Sequence, residues 1–188
     1  MQTQRLEAFT DGVVAIIITI MVLELPVPEQ AGMRALAPSA VLFAAYAVAF
    51  VKVGMYRMNH HHMLHAARKV DGRALLANLL LLFWLSLVPF VVRWVGEAGV
   101  TPDTVAAFGF LMLMCTLSYG LLRIALIRTD GPDSPLAQAT GKGVKGRISI
   151  LAYALAIGTA YLWLPLSIAI YLAIAAMRLL PDRRLEVE

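Results

Sequence analysis

An all-α, polytopic membrane protein with six transmembrane helices is what this sequence predicts, and three observations predict it. First, 60% of the residues are hydrophobic and 15% charged, with a mean hydropathy of +0.76. Soluble domains sit nearer half apolar and about a quarter charged. A soluble chain of 188 residues could not hide so much apolar surface, so much of it must face lipid or other helices within lipid. Second, the apolar residues fall into six runs, most of them near the roughly 20 residues that a spanning helix needs. Third, the basic residues gather at the ends of these runs, as topology determinants do, rather than in one patch.

The first span covers residues 6–25 and stops at Pro26-Val27-Pro28. Its apolar core, 13–25, follows Asp11 and lacks a small-residue cleavage site, so it reads as a span and not as a leader. The second span covers 36–58 and the third 74–95. The fourth, 104–127, has a start signal in Thr101-Pro102-Asp103. The fifth and sixth, 148–163 and 165–180, are short and nearly abut. Gly158 and Pro165 argue for a break between them, with Pro165 in a first turn where its missing N–H costs nothing. Residues 129–145, rich in Gly and Pro, read as a loop, and 182–188 as a charged tail. There is no internal repeat, so residues 1–188 read as one membrane domain.

Charge sets the orientation. Arg57, Arg68, Lys69 and Arg73 lie between the second and third spans, and Arg128, Lys142, Lys145 and Arg147 between the fourth and fifth. Arg178, Arg183 and Arg184 lie at the C-terminal end. The alternate connections carry only Arg34 and Arg93. The basic connections are therefore cytoplasmic, and six spans put both termini on that side. The net charge of +4 does not imply nucleic acid, because it is dispersed. A single cysteine, Cys115, implies no internal disulfide.

The first span carries the unusual chemistry. Arg5, Glu7 and Asp11 flank or enter it, and ionisable groups there are expensive unless paired or hydrated. At about 100° per residue, Gly12, Ile16, Thr19 and Leu23 share one stripe, with Ile20 on its flank and Asp11 a quarter-turn or more away. Copies of this helix around an axis would stack rings of Ile16, Thr19 or Ile20, and Leu23, and such apolar rings can gate by dewetting. Ordinary helix–helix packing uses the same stripe, and the residues alone favour it. Asp11 has two readings: lining a watery path, or the commoner one, held by backbone N–H groups and a cation such as Arg5 or a histidine from another helix.

These residues resemble a known family. Arg5-x-x-x-Phe9-Thr10-Asp11-Gly12 is similar to the R-x-x-x-F-S-D signature of the transmembrane protein 175 potassium channels, with Thr10 where Ser is usual. Both residues offer a small hydroxyl. The likeness continues through Ile16-x-x-Thr19-x-x-x-Leu23-Glu24 and the Pro26/Pro28 stop. It extends to Asp71, to the run beginning at Asn78, to Leu87-Val88-Pro89-Phe90 and to the histidines after the second span. The sequence contains no T-V-G-Y-G filter, and neither does the family.

The resemblance implies a potassium-permeable channel in the cell (plasma) membrane. It implies a homotetramer, as in the single-repeat bacterial type, with the first helices lining the pore. Ile16 and Leu23 would be constriction rings, Thr19 a polar ring, and Ile20 an addition to the neck. Arg5, Phe9, Thr10 and Asp11 would tie the pore helix to its neighbours. The only cofactor-like species implied is the permeating potassium ion, and the partners are further copies of the chain, the bilayer and monovalent cations.

Other candidates read as structural. His61 and His65, four apart in the cluster His60–His65, could share a metal on one helix face, but contacts to the Asp11 network are the expectation, with a pH effect open to these imidazoles. Asn78 is expected to bond between helices. Lys52 and Arg57 are expected to snorkel to the cytoplasmic interface, and Trp94 and Trp163 to sit near span ends. An enzyme would need reactive groups converging inside the membrane, whereas the deep positions are almost all Leu, Ile, Val, Ala and Phe. The alternative to a channel is a small secondary transporter or an accessory membrane protein. Transporters typically show repeats and helices broken at midplane, which are not evident here.

Overall fold

Capping side chains, glycines and prolines set the ends of the helices. The computed structural model describes residues 3–28, 31–140 and 144–179. Helix α1 is Thr3–Leu23, followed across the proline stop by a 3-10 segment, Met33–Ser39, and α2, Ala40–Ala66. Then come α3 (Gly72–Ser86), α4 (Val88–Ala98), α5 (Pro102–Asp130), α6 (Pro135–Thr140), α7 (Val144–Ala160) and α8 (Leu164–Leu179). No strand occurs among the described residues.

Local chemistry accounts for several boundaries. Asp71 caps α3 by accepting the Ala74 N–H at 2.9 Å. Thr101 and Thr104 cap α5 reciprocally, with Pro102 at its first position. Gly99 (φ 78°) and Gly131 (φ 99°) end α4 and α5 with backbone that a side chain would resist. Leu87 separates α3 from α4 because Pro89 has no N–H to continue the ladder.

Among the described residues four helical runs are long and apolar enough to cross a membrane: Thr3–Leu23, Met33–Ala66, Gly72–Ala98 and Pro102–Asp130. The protein is thus a multi-pass membrane protein of all-helical fold. Helices α7 and α8, of 17 and 16 residues, are shorter. The structure departs from the sequence reading in three places. The second helix runs on to Ala66, so the histidines lie within it. The third run, read as one helix over 74–95, is two helices meeting at Leu87. The 129–145 stretch holds the short α6, because the Ser134 hydroxyl oxygen accepts the Ala137 N–H and starts a turn. Residues 180 and 182–188, the end of the sixth span and the tail, lie outside the described residues.

Helix α5 is the axis of packing: α3 and α7 lie along it, and α8 folds back on α7. Helix α1 packs on α2, and on α3 and α4. The shared core includes Met21, Val53, Leu64, Leu81, Leu85, Met112 and Leu122.

Candidate functional site

Helix α1 has two faces of different fate. Leu6, Thr10, Val14, Ile17 and Met21 recur at steps of three and four and are buried against the rest of the chain. On the other side, Phe9, Gly12, Ile16, Thr19, Ile20 and Leu23 are all exposed. Ile16 is 58% and Leu23 80% exposed, high for such apolar side chains within an apolar helix. The Thr19 hydroxyl donates back to its own helix, to the carbonyls of Ile16 (2.9 Å) and Ala15 (3.1 Å). Its hydrogen is thereby occupied, and its lone pairs remain free to accept.

Behind this face stands a polar cluster that fixes α1 to α2 and α3. Asn78 of α3 is fully buried. Its amide nitrogen donates to the Thr10 hydroxyl at 3.0 Å, and its carbonyl oxygen lies 2.8 Å from His60 Nε2. With the carbonyl facing the ring, His60 must donate through Nε2. A second layer lies nearer the surface. Arg57 grips Asp11 with two parallel bonds, Nε to Oδ1 at 3.1 Å and Nη2 to Oδ2 at 3.0 Å. His61 pairs with Glu7. His65 stacks on His61 with ring centres 6.2 Å apart.

Of the residues singled out from the sequence, Thr10, Asp11, Asn78, His61 and His65 thus fall in or beside one cluster. Arg5 is exposed, and the cation that holds Asp11 is Arg57 instead. Phe9 belongs to the exposed face. Among the described residues no group of three or more His, Cys, Asp or Glu could hold a metal ion. The sequence reading missed Arg57 and Glu7 as partners, and it expected the histidine cluster to reach the Asp11 network without naming Asn78 as the group that His60 bonds. A signal for Arg57 and Glu7 was present. Glu7 and Asp11 are four apart on α1, as are Arg57 and His61 on α2, and antiparallel helices match two such ladders in reverse order.

Lys52 does not snorkel. It is 3% exposed; its ammonium donates to the Tyr153 hydroxyl at 2.9 Å and lies 5.5 Å from the centre of that ring. A phenol oxygen and a π face reached sideways replace the aqueous interface. At the far end of α1, Arg93 of α4 pairs with Glu24 at 3.4 Å and Glu97 at 2.8 Å, tying down the residue after Leu23.

Comparison with known proteins bears on this arrangement. The family described as the endosomal/lysosomal potassium channel TMEM175 matches residues 5–89. A potassium channel of Chryseobacterium sp. (strain P1-3) is 44% identical over 182 residues, 97% of this chain and 95% of its own. A potassium channel of Streptomyces collinus (strain DSM 40733 / Tue 365) is 30% identical over 181 residues, 89% of this chain and 87% of its own. The crystal structure of a lysosomal potassium-selective channel TMEM175 homolog from Chamaesiphon minutus superposes with a TM-score of 0.78 at 24% identity, covering 98% of both chains. That likeness establishes a common fold.

Proposed function

The chain belongs to the TMEM175 potassium-channel family, and we propose that it is a potassium-selective cation channel of the cell membrane and not an enzyme. Four copies surround a pore, each contributing the exposed face of α1. Six spans per subunit, α7 and α8 included, place both termini in the cytoplasm. The observation that carries this reading is the pair of opposed faces on α1: one locked by Asn78, Thr10 and the Asp11–Arg57 pair, the other apolar and uncovered in a single subunit.

In this arrangement Leu23 and Ile16 form two apolar rings about two turns apart, roughly 10 Å along the axis. Such rings hold a dewetted neck that opens or closes with small changes in radius. Ile20 narrows the interval. Thr19 presents oxygen lone pairs there, because its proton is donated to its own helix. No T-V-G-Y-G carbonyl filter takes part. Preference for potassium over sodium arises because a narrow apolar neck favours the ion that sheds or deforms its water shell more cheaply. The polar cluster does not touch the ion; it holds α1 at a fixed rotation so that the rings stay in register.

The test is flux from liposomes containing the purified protein. Wild type passes potassium in preference to sodium, and Ile16→Ala and Leu23→Ala raise the rate and erode the preference. A folded, oligomeric wild type that passes no cation overturns the reading.

A further inference from the structure

On the outer side of α3 and α5, away from α1, the two helices leave a groove of about 310 Å³. On α3, Leu76 and Leu80 form one wall, with Arg73 a turn before them. On α5, Leu121 and Ile124 form the other, with Arg128 a turn after them. The two stripes step by three and four residues in opposite chain directions, so both arginines lie at the same end. Ala77 and Ala125 keep the floor open. Arg73 to Leu80 spans about 10 Å along the helix, against about 15 Å for half the hydrocarbon core. The groove thus matches the upper part of an acyl chain, with two guanidinium groups at headgroup level.

We propose that this groove is a binding site for an anionic phospholipid, the phosphate held by Arg73 and Arg128 and one acyl chain lying between the walls. Charge complementarity identifies the occupant. Neither arginine forms an ion pair within 4 Å among the described residues, so both are available to an anion. Asp71, the nearest carboxylate in sequence, caps α3 through the Ala74 N–H and feels the Arg73 charge, but forms no ion pair with that guanidinium. A second copy of the chain would have to bring a carboxylate to the arginines. The described carboxylates at this end are engaged elsewhere: Glu7 by His61, Asp11 by Arg57, and Asp130 by the backbone N–H groups of Arg68 and Lys69. Only Asp133, exposed beyond α5, has no side-chain partner among these bonds. Basic pockets between helices at the cytoplasmic end suit anionic headgroups.

The experiment is native mass spectrometry of the full-length protein, titrated in detergent with phosphatidylglycerol, phosphatidylcholine or inorganic phosphate. Phosphatidylglycerol is expected to bind and phosphatidylcholine to bind far more weakly. At about 1 kcal/mol per basic residue, the double change Arg73→Gln/Arg128→Gln weakens phosphatidylglycerol about 30-fold. Ala125→Phe, which fills the floor while keeping both charges, weakens it as well, and Arg73→Lys/Arg128→Lys recovers much of the loss. Leu80→Cys reacts with an apolar maleimide in phosphatidylcholine and is protected by phosphatidylglycerol. Equal binding of the two lipids overturns the proposal. So does retention in the glutamine variant, or inorganic phosphate competing for the site as strongly as the lipid. Protection of Leu80→Cys without phosphatidylglycerol overturns it too, by placing a second copy in the groove.

Discussion

Replacing Asn78 by alanine removes one side chain that serves two helices at once. In the intact protein its amide reaches Thr10 on α1 at 3.0 Å and His60 on α2 at 2.8 Å, with no exposure to solvent. Interhelical hydrogen bonds in membrane proteins average about 0.6 kcal/mol and reach about 1.7. Two lost bonds therefore destabilise by about 1–3 kcal/mol, before any cost of the space vacated. The orphaned Thr10 hydroxyl adds its own penalty, so Thr10→Val, harmful alone, is expected to be nearly neutral beside Asn78→Ala. The two changes then couple by more than about 0.5 kcal/mol, the usual limit of additivity for independent sites. Equilibrium unfolding in mixed micelles, followed by tryptophan fluorescence, to which Trp84 on the same helix contributes, measures each corner of the cycle. Two results refute the reasoning: a single variant within about 0.5 kcal/mol of wild type, or strict additivity.

Three further perturbations probe the frame around the site. A Cβ at Gly109 would sit 1.9 Å from the Tyr171 hydroxyl, which donates to the Val105 carbonyl at 3.0 Å. Gly109→Ala should lower stability by about 1–3 kcal/mol through overpacking, and Tyr171→Phe in the same chain should restore part of it in thermal melts. The Ala74 N–H holds the Asp71 carboxyl below its ordinary range, so its ionised form supports folding. That support is present above the unfolded carboxylate value and is lost as pH falls through the lower folded one. Asp71→Asn should therefore differ from wild type at neutral pH and converge on it in acid, as read by unfolding at stepped pH. Arg57 and Asp11 are 45% and 35% exposed, so Arg57→Gln should cost no more than about 1 kcal/mol, and Asp11→Asn should add little to it in a double variant.

How much of this was legible in the sequence depends on the range of the interaction. Helix α1 and the membership of its Ile16–Leu23 stripe follow from local periodicity, and its end from the prolines at 26 and 28; that the stripe is uncovered does not, because packing between helices uses the same pattern. The start of α5 follows from Thr101-Pro102-Asp103, whose chemistry is complete within four residues. The division at Leu87 was signalled by Pro89 but outweighed by an unbroken apolar run. The extension of α2 to Ala66 was hidden because its polar last turns bond to other helices instead of ending the span. Partner identity was the least visible. Arg57 rather than Arg5 holds Asp11, and Lys52 turns to Tyr153 on α7, because residues that meet across helices share no local signal.

In the proposed channel the exposed face of α1 lines the ion path while its opposite face is locked into the subunit. Single cysteines placed along α1, with potassium flux from liposomes measured before and after a charged thiol reagent, test this arrangement most directly. The native Cys115 is fully buried and can stay. Block at positions 16, 19, 20 and 23, with none at 14, 17 and 21, is the predicted pattern. Block that follows the buried positions, or flux indifferent to modification at every position on the helix, would contradict it.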